Sequence, residues 1–277
     1  MSDSRPIGII DSGFGGLTVA REIFRLMPAE QIVYLGDSAR APYGNRSDEV
    51  IRSFGLQSAE HLLKMDIKML IVACNTISAV ALEQIEAKAK EIPVIGVVLP
   101  SARAAVLRTA EKKIGVIGTK ATIRSGSYTR AVQSIGADIK IYGKECPLFV
   151  PLVEEGLLDT DVARASAQHY LYELIDIGVD CIILGCTHYP LLMEVIQGTV
   201  GTRVQLLDSA LWSAKEALEI LTALKSLSPQ SSNGIALSRF IFTDVRQDTK
   251  SLALKFLGCS LPSIETVSLE ASTNDTH

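Results

Sequence analysis

Residues 7–28 read IGIIDSGFGGLTVAREIFRLMP. A short apolar run ends on Asp11 and Ser12, a glycine-rich loop follows, and Leu17, Ala20, Phe24 and Met27 then recur at helical spacing until Pro28 stops the helix. The stretch is one strand–loop–helix unit, and the same alternation returns along the chain. KMLIVA at 68–73 precedes SAVALEQIEAKAKE, PVIGVV at 93–98 precedes SARAAVLRTA, IGVIG at 114–118 precedes a segment from Thr122, and CIILG at 181–185 precedes PLLMEVIQ. Strands this uniformly apolar, separated by helices, imply a parallel sheet covered on both faces, so the fold class is α/β.

An internal repeat sharpens that reading. IGIIDS begins at Ile7 and IGVIGT at Ile114, while the runs VAC and LGC end on Cys74 and Cys186, at nearly the same separation. Each pair places small and polar residues at the carboxyl end of an apolar strand, the pattern expected of two similar α/β halves. Independent βα units that merely look alike are the alternative.

Composition limits what the chain can be. With 277 residues, 47% of them hydrophobic and 21% charged, it can bury one large core or two modest ones and reads as a soluble globular protein. A net charge of −4 without a Lys/Arg cluster among aromatics argues against a nucleic-acid surface. The start, MSDSRPIGIIDSG, has no basic segment followed by a long apolar run, and no apolar stretch approaches the ~20 residues of a spanning helix, so no membrane role and a cytoplasmic location are expected. Five scattered cysteines, an odd number, are expected to be reduced. Residues 225–234 read as a surface loop and 271–277 as a frayed tail.

Two cysteines stand apart. Cys74 in VACNT and Cys186 in LGCTH sit at strand carboxyl ends, where parallel α/β sheets bind ligands beside helix N-termini. A helix N-terminus favours thiolate, so their pKa is expected to fall from ~8.5 toward neutrality. Two such thiols facing each other from equivalent places suit removal of a proton from one face of a carbon and its return to the opposite face. Asn75, Thr76, Thr187 and His188 beside them supply groups to hold a carboxylate and the charge that develops on it. Structural thiols are the alternative, and the reading given to Cys146, Cys181 and Cys259. A zinc site at Cys186 and His188 lacks the usual ligand spacings. Of the lysines only Lys120, in GTKATI, lies near a strand end as a Schiff-base candidate, so no pyridoxal cofactor is expected.

These stretches, with YLGDSARAPYG at 34–44, IGVIGTKATIRSGSY at 114–128, CPLFVPLVEEG at 146–156 and CIILGCTHYPLL at 181–192, resemble the cofactor-independent glutamate racemases of bacteria. The likeness runs to about residue 214. It implies two pseudo-symmetric, flavodoxin-like α/β domains, 1–98 plus 208–277 and 99–207, with the active site in the cleft between them. It also implies that Asp11 and Ser12 bind the substrate's amino and carboxylate region, that Pro42, Tyr43 and Gly44 line the pocket, and that Asn75, Thr76, Thr187 and His188 complete recognition. Cys74 would act on the α-hydrogen of D-glutamate and Cys186 on that of L-glutamate, assisted by Asp11 and His188 respectively, with Asp37 and Glu154 as further carboxylates near the site. The resemblance carries no cofactor and no metal, a homodimer, a place in peptidoglycan synthesis and, for some members, inhibition of DNA gyrase by protein contact.

The residues leave other readings open. Asp11 can be an N-cap of the following helix, SGFGG a phosphate loop with Thr18 where the last glycine should stand, and Asp37 and Glu154 solvated loop residues. Ile10 and Ile77 depart from the usual aromatic and alanine of the family. A related racemase acting on aspartate and an amino-acid sensor are the competing functions.

Overall fold

In the computed structural model the described residues are 2–229 and 233–269. The first half runs β1 (Ile7–Asp11), α1 (Leu17–Leu26), β2 (Ile32–Gly36), α2 (Asp48–Leu63), β3 (Met69–Val72), α3 (Asn75–Lys88) and β4 (Val94–Gly96). Then come α4 (Val98–Val106), β5 (Lys113–Gly118), α5 (Lys120–Arg124), α6 (Ser127–Ile135), β6 (Lys140–Glu145), α7 (Phe149–Glu154), α8 (Asp161–Ile177), β7 (Cys181–Gly185), α9 (Met193–Val200) and β8 (Gln205–Asp208). The chain closes with α10 (Ser209–Ala223), β9 (Arg239–Phe242), α11 (Thr249–Leu257) and β10 (Glu265–Thr266).

Two parallel sheets result, ordered β10-β9-β2-β1-β3-β4 and β6-β5-β7-β8. The inner order β2-β1-β3-β4 repeats as β6-β5-β7-β8, so β5 takes the place of β1 and β7 that of β3. Ile7 pairs with Met69 in the first sheet as Ile114 pairs with Cys181 in the second. Strands β1, β2, β3 and β7 are buried throughout, which is why they read as unbroken apolar runs.

One face of both sheets shares a continuous core running from Ile9, Leu17 and Ile71 to Phe149, Leu184 and Tyr189. The opposite faces have separate cores, under α2 and α3 in one half and under α4 and α6 in the other. Helix α10 carries the chain back to the first sheet, packing Ser209, Ala210, Ser213, Ala214 and Ala217 between α1 and α4. Small residues let the backbones approach closely there.

PVIGVV forms a shorter strand than expected. Val97 gives its N–H to Ser78 Oγ at 3.2 Å instead of a neighbouring strand, and α4 starts at Val98. The expected surface loop at 225–234 is in part interior: Ser228 is buried, its Oγ 2.9 Å from Glu30, which pairs with buried Lys68 at 2.6 Å. Residues 230–232 and the expected tail at 271–277 lie outside the described residues. Among the described residues no helix is long and apolar enough to cross a membrane, and all five cysteines are free thiols.

Candidate active site

The repeat places the two singled-out cysteines equivalently, Cys74 two residues beyond β3 and Cys186 directly after β7, only 5% and 6% exposed. Their surroundings differ. Cys74 is the N-cap residue of α3, and its thiol donates to Ser12 Oγ at 3.4 Å. Cys186 is followed by Thr187, His188 and a short 3-10 turn, Tyr189–Leu192.

The pKa of neither thiol falls as the helix argument predicts. Burial raises that of Cys74 to about 11, and the negative charge of Asp11 adds to it. Ser12 and the N–H groups of Ile77 and Thr76 only partly offset the rise. Burial raises Cys186 further, and charge on Cys74, Asp11 and Glu154 adds to the rise against the His188 N–H. The cause is simple: a few N–H dipoles at a helix start cannot replace the hydration a thiolate loses in an enclosed site. The mutual charge effects also show that Cys74, Cys186, Asp11 and Glu154 share one neighbourhood.

Asp11 ends β1 fully buried. Its Oδ2 accepts from Gly13 N–H at 2.9 Å, and its Oδ1 has no partner among the described residues. It does not cap α1, whose N-cap is Gly16. Burial raises its pKa, opposed first by the charge of His188 and then by the N–H groups of Gly13 and Gly16. The SGFGG loop makes close packing contacts. A Cβ on Gly15 would overlap Thr187 Oγ1 and stand 2.7 Å from His188 Nδ1, and one on Gly16 would stand 2.6 Å from Asp11 Cβ. Gly15 lets the first half press against the Cys186 loop, and Gly16 lets its own loop close on Asp11.

Beside Cys186, His188 Nε2 lies 3.2 Å from Glu154 Oε1, its Nδ1 lies 3.5 Å from Thr187 Oγ1, and the Phe256 ring meets the imidazole edge-on at 4.9 Å. The hydrogen bond to His188 holds the Glu154 carboxyl below its ordinary pKa against desolvation. Glu154 is therefore a partner of the histidine at the end of α7, half-buried and not a free loop residue. Nor is Asp37 solvated: it is fully buried and accepts from Arg40 Nε at 2.6 Å, from Thr243 Oγ1 at 2.8 Å and from the Tyr43 hydroxyl. Its Oδ2 serves Arg40 and Tyr43 and its Oδ1 serves Thr243.

Pro42 follows a cis peptide bond, Tyr43 is buried, and Gly44 abuts the second half, where a Cβ would stand 2.7 Å from Thr119 Cβ. Gly44 O accepts from Ala121 N–H at 3.0 Å. Thr76 Oγ1 lies 3.0 Å from Thr119 Oγ1 and 3.3 Å from Thr122 Oγ1, again across the two halves. Asn75 donates to the Tyr128 hydroxyl at 2.8 Å and to Ser209 Oγ at 3.4 Å.

Thr119, Thr122, Tyr128, Ser209 and Phe256 therefore join the neighbourhood without having been singled out in the sequence. Thr119 carried a signal, since it stands in IGVIGT where Ser12 stands in IGIIDS. The others had none, because only packing brings them in. Among the described residues no three His, Cys, Asp or Glu side chains group as a metal ligand set.

A sequence profile described as Asp/Glu/hydantoin racemase matches residues 7–217. The glutamate racemase of Geobacter metallireducens is 45% identical over 267 residues, 96% of this chain and 98% of that one. Among solved structures, glutamate racemase from Francisella tularensis in complex with D-glutamate is similar with a TM-score of 0.91 at 37% identity, covering 97% of this chain and 99% of that one. A glutamate racemase from Bacillus anthracis matches with a TM-score of 0.89 at 40% identity, over 96% and 98% of the two chains.

Proposed function

The chain belongs to the Asp/Glu/hydantoin racemase family, and on that premise we propose that it interconverts L- and D-glutamate by proton transfer at Cα between two cysteines. The observation that carries the reading is the placement of Cys74 and Cys186 beyond equivalent strands, β3 and β7, in one buried neighbourhood between two sheets of the same strand order. The relatives that match over nearly their whole length are glutamate racemases, which supports glutamate over aspartate.

In the reaction one cysteine, as thiolate, takes the α-proton, the electron pair stays on the substrate as a carbanion-like enolate, and the thiol opposite delivers its own proton to the other face. The first thiol ends protonated and the second ionised, so the next turnover of the same enantiomer requires the two protons to exchange with solvent or with neighbouring groups. Asp11, whose Oδ1 is unpartnered among the described residues and whose charge acts on Cys74, is the group this reading assigns to receive the Cys74 proton. The His188–Glu154 pair is assigned the same office beside Cys186, on the 3.2 Å contact that joins the two side chains. High thiol pKa values make each thiolate scarce but strongly basic, which suits a weakly acidic C–H.

Ser12, Asn75, Thr76 and Thr187 supply donors and acceptors for the substrate's charged ends, with Pro42, Tyr43 and Gly44 as the wall. D-glutamate of this origin serves peptidoglycan assembly, and a cytoplasmic homodimer is the state the family reading carries.

The test is conversion of L- to D-glutamate by the dialysed chain in D₂O, following deuterium at Cα, with Cys74→Ser, Cys186→Ser and an aspartate control. Deuterated D-glutamate is expected, with racemisation about 10²–10⁴-fold slower in either variant. Exchange on aspartate but not glutamate overturns the substrate, and undiminished racemisation in one serine variant overturns the two-thiol mechanism.

A further inference from the structure

Tyr128, the second residue of α6, spans the gap between the two thiol-bearing loops. It is 3% exposed, and its ring packs in the core of the second half with Val116 and Ile183. The ring lies against Gly185, the residue before Cys186: a Cβ there would stand 3.3 Å from Tyr128 Cε2. The hydroxyl leaves that core and accepts from Asn75 Nδ2 at 2.8 Å, and Asn75 is the residue after Cys74.

Asn75 is 2% exposed. Its second amide hydrogen points to Ser209 Oγ, 3.4 Å away, and Ser209 in turn donates to Leu184 O, within β7, at 3.2 Å. Both amide hydrogens of Asn75 are thus held by residues that lead directly to the Cys186 loop. Asn75 Oδ1, by contrast, is buried without a partner among the described residues. A buried acceptor in that state is costly unless a ligand satisfies it.

We propose that Tyr128 is a positioning residue for the racemisation proposed above. It fixes the amide of Asn75 so that Oδ1 faces substrate, and it sets the Cys74 loop against the Cys186 loop. Resting as it does on that reading, the proposal assigns Tyr128 no contact with substrate. The phenol acts through Asn75 on one side and Gly185 on the other.

Tyr128→Phe keeps the ring against Gly185 and removes only the hydroxyl. With one neutral hydrogen bond lost, KM for both enantiomers is expected to rise about 3- to 10-fold with kcat changed less. Thermal stability should fall as well, because a buried Asn75 amide hydrogen loses its partner, so KM is read on protein shown to be folded at the assay temperature. In an Asn75→Ala background the same substitution is expected to have no further effect on KM, because the group it positions is gone. A Tyr128→Phe variant with wild-type KM, or effects of the two substitutions that multiply in the double variant, overturns the proposal while wild-type racemisation leaves the function standing. A wild-type chain that does not racemise glutamate overturns both.

Discussion

The two halves share a strand order and differ in what they set beside the cysteine. In the first, β1 ends on Asp11, whose buried carboxyl faces the Cys74 neighbourhood, and α3 begins immediately after the thiol. In the second, the equivalent strand β5 ends on Gly118, which offers nothing to ionise, and the ionisable neighbours come instead from the Cys186 loop itself and from α7, as His188 and Glu154. The pKa of Cys74 stands at about 11 and that of Cys186 higher. A repeated scaffold supplies two equivalent places for a thiol; burial at each place raises its basicity most, and the charged side chains around it add the rest.

The largest effect is expected where the halves touch. Gly15→Ala puts a Cβ into Thr187 Oγ1 and His188 Nδ1, whereas a Cβ on Gly13 meets nothing closer than Ala41 Cβ at 3.9 Å. Overpacking of this kind costs about 1–3 kcal/mol. If the closed contact is what catalysis uses, kcat/KM for Gly15→Ala should fall roughly 5- to 150-fold, with Gly13→Ala close to wild type. Equal kinetics for the two variants would break the link between the glycine loop and the Cys186 loop.

A second effect, bounded at about tenfold per pH unit, is expected from pH. With the Cys74 pKa at about 11 and that of Cys186 raised beyond it, both thiols are protonated near neutrality, so the active thiolate becomes more abundant as pH rises. Initial rates should show kcat/KM climbing from pH 7 toward pH 9, at most about tenfold per unit, since that is how a minor ionised form grows. A profile already level at pH 7 would show that burial does not govern the thiols during turnover.

The subtlest effect separates the two assisting groups. L- and D-glutamate have equal free energy, so kcat/KM must remain equal in the two directions whatever is mutated. An asymmetry between halves shows only in which proton transfer limits the rate. Asp11→Asn should raise the α-deuterium isotope effect for the enantiomer deprotonated by Cys74 above that for the other, and His188→Asn should do the reverse. Isotope effects that move together in both variants would mean that Asp11 and His188 do not serve separate thiols.

The α/β class, the two-fold repeat and the two cysteines were legible from local pattern alone. Strands buried on both faces must be apolar throughout, helices must carry a 3.6-residue stripe, and a repeated strand end repeats its polar residues. Even Thr119 was within reach, as the counterpart of Ser12. The thiol pKa values were misread because helix-end dipoles can be inferred from neighbours in sequence while burial cannot. Asp37 was open to a solvated reading for the same reason: the hydroxyl of Thr243 that occupies it comes from 206 residues away.

By itself, then, the sequence determined which elements form, in what order, and which thiols stand at their carboxyl ends, since each depends on interactions a few residues long. Only the tertiary structure decided that Gly15 meets Thr187, that Glu154 meets His188 and that Tyr128 joins Asn75 to Gly185. Those contacts cross between halves or between distant loops, and no local periodicity records which surfaces close-packing will bring together.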